Sequence, residues 1–145
     1  MLPRWHVLLG LLFAGGLWFF APEIKFYNIL LLFLASVLID FDHYAVSVMK
    51  TGKISLKDSF VYHKDMQKIE EKEFKRGIKR KGDFHLFHTL EFHILIGIIG
   101  IFFSPFFYIF IGLVFHSLTD VFSLISGDRF YRREFFFFKW LSDKF

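Results

Sequence analysis

Asp40, Asp42 and His43 close an apolar run, Ile24 to Ile39, that, Lys25 and Asn28 aside, reads as the interior of a membrane. Ionisable groups in such a setting are costly unless they meet partners. The other apolar stretches supply candidates. His6 lies in the first; His85, His88, Glu91 and His93 open a later one; His116 and Asp120 lie in the last. This pattern constrains the chain to bring the polar faces of its segments together and to present the rest to an apolar solvent.

The predicted fold is therefore an all-α integral membrane protein, a single domain over residues 1–145 with four transmembrane helices at about 5–21, 24–48, 85–103 and 106–125. Arg4 before the first run resembles the start of a signal peptide. Ala21-Pro22-Glu23 is, however, a poor cleavage site, and the run nearly reaches spanning length, so it is read as a retained helix. Pro22-Glu23 and Ser104-Pro105 mark the tight turns between paired spans. The second run needs to continue through Asp40 and Asp42 to about Val48 to span comfortably. Composition agrees: 54% of residues are apolar and 24 are Phe, more than a soluble domain of this length can hide. Cysteine is absent, which excludes a disulfide framework and thiolate chemistry.

Charge gives the orientation. Residues 49–84 carry eleven of the eighteen basic side chains against six acidic ones, and roughly Ser59 to Arg76 of this loop reads as helical. The tail, 129–145, mixes Arg132, Arg133 and Lys139 with four consecutive Phe and Trp140, the pattern of an amphipathic helix lying at the membrane surface. The positive-inside rule places the loop and both termini in the cytoplasm, in a multi-pass protein of the cell (inner, cytoplasmic) membrane. The basic loop rests on anionic lipid headgroups. Its basic residues are interleaved with acid and no reading module is present, so nucleic acid is not an expected partner. Gly10, Gly15 and Gly16 are the small residues at which a homodimer would pack.

Counting rise inward from the outer turns puts Asp40, Asp120, His88 and His6 within one layer, about 23–27 Å deep, with His93 and His116 in a second at about 17 Å. His85, His88 and Glu91 form an i, i+3, i+6 stripe, and His116 and Asp120 share a face as an i, i+4 pair. A divalent metal accounts for such a cluster: imidazole and carboxylate are ligands of zinc, and of manganese or iron as alternatives, and the ion offsets repulsion among the carboxylates. Asp40, Asp42, His88, His116 and Asp120 are the expected ligands, with His43 and His6 as further ones. Glu91 is cast as the general base toward a metal-activated water, with His85 as a second catalytic candidate. His93 is a second-line candidate off the stripe, and His63 reads as a solvated surface histidine. The reading is a membrane-embedded, metal-dependent hydrolase acting at the cytoplasmic side on an ester or phosphoester of a lipid-like amphiphile. A proton-coupled or ion transporter and a non-catalytic metal-binding protein remain as alternatives.

Three short motifs, met in order, resemble a known family. Ile39-Asp40-Phe41-Asp42-His43 is similar to the Pro-Asp-x-Asp-His signature of the YdjM-like family of membrane-bound, predicted metal-dependent hydrolases. His116-Ser117-Leu118-Thr119-Asp120 resembles that family's late His-x-x-x-Asp motif, and His6 takes the place of its early histidine. The resemblance implies a metal site and a hydrolytic activity. Two departures stand out. Ile39 replaces the family's proline, and His85-Leu86-Phe87-His88-Thr89 is a shortened counterpart of its His-Arg-Gly-x-x-His-Ser segment.

Overall fold

The computed structural model describes residues 3–145, which form helices and connecting turns with no strand among them. Helix α1 (Pro3–Phe20) stops ahead of Ala21-Pro22, since a residue preceding proline is disfavoured in helical geometry. The chain reverses through Ala21–Lys25, with Ile24 N–H donating to the Ala21 carbonyl at 3.1 Å, into α2 (Phe26–Leu38). A break at Ile39 and Asp40 separates α2 from α3 (Phe41–Thr51), which ends at Gly52 in the left-handed region (φ 71°) that glycine adopts without strain. The basic loop holds α4 (Leu56–Lys75), followed by an irregular stretch to His85. Next come α5 (Leu90–Phe102), α6 (Ser104–Ser126) and the short α7 (Phe137–Lys144).

Two of these stretches are long and apolar enough to cross a membrane: α2 with α3, over Phe26–Thr51, and α6. Helices α1 and α5 are apolar but shorter. The third predicted segment differs most from expectation. Residues 85–89 do not extend α5. Leu86–His88 form a single 3-10 turn, and Thr89, in extended geometry, caps α5 by accepting from Phe92 N–H. A threonine oxygen satisfies one of the four unpaired first-turn donors, so the helix starts after Thr89, and the predicted stripe of His85, His88 and Glu91 is not helical.

The tail departs from prediction as well. Only its last eight-residue helix, α7, is regular. Residues 129–136 make a 3-10 turn and an extended segment stitched to the strip before α5: Gly82 N–H donates to Arg132 O and Leu90 N–H to Phe135 O, both at 2.8 Å. Lys81 pairs with Glu134 at 3.2 Å, and Phe84 stacks on Trp140 at 4.0 Å between ring centroids. The Phe run favours extended backbone, and its carbonyl supplies the acceptor that Leu90 lacks inside α5.

Helix α6 is the central element, packed chiefly on α2 and α5, with α1 laid on α2. At Gly112 it approaches α2 so closely that a Cβ there would collide with the Leu32 carbonyl. A small apolar core of Ala14, Ile29 and Leu32 fills one end of the bundle. The other buried positions are mostly polar, and large apolar side chains such as Phe20 (84% exposed), Ile101 (77%) and Phe122 (71%) point outward. This inverts the usual distribution of a water-soluble domain.

Candidate metal centre

The polar residues come from five places. Asp40 sits at the α2–α3 break, and Asp42 and His43 lie in the first turn of α3. His85 and His88 flank the turn before α5, His116 and Asp120 share one face of α6, and His6 projects from α1. Their side chains converge, and all but Asp40 and His43 are buried.

Hydrogen bonds fix two of the imidazoles. His116 Nδ1 lies 2.8 Å from the Ser36 carbonyl, which can only accept, so Nδ1 carries the proton. His88 Nδ1 lies 3.1 Å from Asp42 Oδ2, an oxygen that also accepts from Phe87 N–H at 3.0 Å. In the neutral rings both Nε2 lone pairs then face inward, 3.3 Å apart. Two lone pairs at that distance repel unless a proton or a cation lies between them.

Carboxylate oxygens complete the set. Asp40 Oδ1 is 3.4 Å from His116 Nε2 and 3.6 Å from His88 Nε2. Asp120 Oδ2 is 3.7 and 3.8 Å from the same two atoms. Metal–ligand bonds of about 2.0–2.2 Å in tetrahedral geometry imply ligand–ligand separations of about 3.3–3.6 Å, close to the spacings seen here. In donor type and in these spacings the residues could hold a metal ion. Asp42 acts on His88 in the way a carboxylate orients a metal-binding histidine from behind, and the Ser36 carbonyl does the same for His116. His6 stacks on His116 with centroids 3.9 Å apart, and its Nε2 is 3.3 Å from Asp120 Oδ1.

A second group adjoins the first. Asp42 Oδ1 and His85 Nδ1 are 3.6 Å apart, both buried and both without a hydrogen-bond partner. The His43 ring packs on His85 at 3.7 Å, and His43 Nε2 is 3.6 Å from Asp40 Oδ1, so Asp40 adjoins both groups. Asp42, His43 and His85 could hold an ion as a trio, as could His88, His116 and Asp120. Burial, and after it the Arg133 guanidinium, push the His85 imidazole down to about 3, so it stands neutral with a lone pair to offer.

Glu91 is not part of this cluster. Its carboxylate accepts from Phe137 N–H at 2.9 Å and Phe138 N–H at 3.3 Å, serving the unpaired donors at the start of α7. With both oxygens so engaged, the expected role of general base lacks its geometry. Glu91→Ala is expected to leave metal content unchanged and to loosen α7 by about 1 kcal/mol, read as faster amide exchange at Phe137 and Phe138. Loss of metal in that variant would return Glu91 to the site.

His93 is likewise apart: its Nδ1 meets the Thr89 carbonyl at 2.8 Å and its Nε2 the Ser117 hydroxyl at 2.9 Å. His93 thus lies beside the Leu113–Ser117 stretch of α6 that carries His116, but its ring is taken up by those partners and does not join the cluster. His63, expected to be solvated, is half-buried and bonds through Nε2 to the His43 carbonyl at 3.0 Å. Sequence reasoning missed Arg133, whose Nη2 donates to Asp120 Oδ2 at 2.6 Å. The available signal was an arginine pair, Arg132-Arg133, in a Phe-rich tail. Arg132 turns away to pair with Glu70 at 2.8 Å and Glu73 at 3.6 Å on α4.

Comparison of the chain with protein-family models, with curated proteins and with solved structures returned no match.

Proposed function

We propose that this chain is a four-span protein of the cytoplasmic membrane, with both termini inside, that hydrolyses an ester or phosphoester of a lipid-like amphiphile in a metal-dependent reaction. Helices α1, α2 with α3, α5 and α6 are the spans, and the tail lies at the inner surface. On this reading the chain would be a relative of the YdjM-like hydrolases, a likeness resting on the short motifs around Asp40, His116 and His6. The observation that carries the proposal is the inward-facing pair of imidazole Nε2 atoms, 3.3 Å apart and flanked by Asp40 and Asp120, with both Nδ1 protons committed outward. The outward apolar surface supports the membrane setting.

Asp40, His88, His116 and Asp120 would hold one ion, zinc first among the candidates, and Asp42, His43 and His85 a second. When bound, a divalent ion supplies Lewis-acid polarisation of a phosphoryl or carbonyl oxygen and makes water acidic near neutral pH. The chain's own residues do the rest. Arg133 offers a fixed positive charge to an anionic substrate group. His43 and His85 line a polar cavity beside the cluster, and Glu91, engaged at α7, takes no part.

The test is elemental analysis of protein purified in mild detergent without chelator or metal-affinity steps, beside a His116→Ala/Asp120→Ala double variant. One or two equivalents of zinc, manganese or iron, absent from the variant, are expected, and hydrolysis of lipid esters and phosphoesters should track metal content. A native protein that stays metal-free even after metal is added back would overturn the proposal.

A further inference from the structure

Two cavities flank Arg133 beside the cluster, and they differ in character. One is a groove of about 850 Å³ between α5 and α6, walled by apolar side chains such as Ile94, Ile98, Ile101, Leu118 and Val121. Its inner end carries His88, Asp120 and Arg133. The other, of about 520 Å³, lies toward α4 and is walled by polar groups that include His43, Gln67, Asp83, His85 and Arg129. Arg133 lines both. Its Nη2 is bonded to Asp120, while its Nη1 is buried with no hydrogen-bond partner. A buried guanidinium nitrogen left unsatisfied is costly, and an anionic oxygen is its natural complement.

We infer that the two cavities form a single substrate site for a phospholipid diester: a hydrocarbon chain lies in the α5–α6 groove, the phosphate meets Arg133 beside the candidate ligands, and a polar headgroup fills the second cavity. This rests on the hydrolase reading above and narrows its substrate class. The groove has the size and apolar lining of a ligand pocket, and several of its wall residues face outward, Ile101 being 77% and Leu118 61% exposed, so a chain could enter sideways from the bilayer. The second cavity is what selects a diester. A phosphomonoester has nothing to place beyond the phosphate, whereas a headgroup bearing hydroxyls finds Gln67, Asp83 and Arg129 there. A free phosphate ion would use Arg133 but leave the groove empty.

The experiment reads binding and not turnover. Full-length, metal-loaded protein in nanodiscs receives trace phosphatidylglycerol carrying a photoreactive diazirine at its chain end, and adducts are mapped by mass spectrometry. Matched phosphatidic acid and diacylglycerol probes are run alongside, as is competition with inorganic phosphate. Adducts are expected to concentrate on α5 and α6, strongest for the diester and weakest for diacylglycerol, with inorganic phosphate a poor competitor. Leu118→Trp, at an exposed position where folding is not at stake, should fill the groove and lower diester adducts about tenfold, the effect of removing about 1.4 kcal/mol of binding. Adducts spread evenly over α1, α2, α5 and α6, equal labelling by diacylglycerol, or full labelling of Leu118→Trp would overturn the inference. Groove adducts without any hydrolysis would uphold the lipid site and remove the hydrolase reading. Lipid hydrolysis without groove adducts would do the reverse.

Discussion

Asp120→Asn is expected to cost the protein its metal outright, while Asp42→Asn keeps the metal at an affinity about 10–100-fold lower. The difference follows from what each carboxylate faces. Asp120 presents Oδ2 to His88, His116 and Arg133 and Oδ1 to His6, so it is the negative charge among three imidazoles and a guanidinium. An amide there removes that charge and leaves the guanidinium opposing any cation. Asp42 Oδ2 instead receives His88 Nδ1–H and Phe87 N–H, and the carbonyl of an asparagine can go on accepting them. Titration of each apo-protein with zinc, followed calorimetrically, separates the two. Full stoichiometry in Asp120→Asn would remove that residue from the ligand set. Loss of the ion held by His88 and His116 in Asp42→Asn would make Asp42 a ligand of that ion and not only the group that orients His88.

Gly112 should show the largest purely structural effect, and its sign is informative. Alanine is worth about 1 kcal/mol more than glycine inside a helix, so Gly→Ala normally stabilises where space is open. Gly15 on α1 has nothing within 4 Å of an added Cβ, and Gly15→Ala should follow that rule. At Gly112 the Cβ would strike the Leu32 carbonyl and meet the Ala35 Cβ at 3.0 Å. Backbone cannot swing aside as a side chain can, so α6 has to lift from α2, and Gly112→Ala should destabilise by about 1–3 kcal/mol. Thermal unfolding in detergent measures both variants. Zinc affinity should fall in Gly112→Ala as well, because His116 and Asp120 lie one and two turns further along α6 while the Ser36 carbonyl stays on α2. Stabilisation at both glycines would mean that the helices do not approach at Gly112.

Local pattern and simple counting go far with this chain. Apolar run lengths point to helices, and the structure is all-helical. Rise per residue puts His6, Asp40, His88 and Asp120 at one depth, and their side chains meet. The i, i+4 spacing of His116 and Asp120 lies within one regular helix, where such arithmetic holds. It fails where the backbone changes type. The spacing of His85, His88 and Glu91 suits a helix, but Thr89 competes for the backbone donors and splits them between a 3-10 turn and the first turn of α5. Partners far apart in sequence are also invisible to it. Glu91 meets backbone N–H groups of α7, and Arg133 reaches Asp120 through a reversal after Gly127 that no periodicity announces. The count puts His116 in a deeper layer, yet its side chain reaches His88 and Asp40.

The stitching of residues 129–138 onto the strip from Gly82 to Glu91 also orders events in time. During synthesis every candidate ligand has been made once Asp120 is added. Yet the acceptor for Leu90 N–H, the guanidinium on Asp120 and the donors that engage Glu91 all come from residues made later. The helices can pair first, with the His85–His88 turn still lacking its contacts to residues 129–138. The complete set of contacts around the centre therefore needs residues made after Asp120.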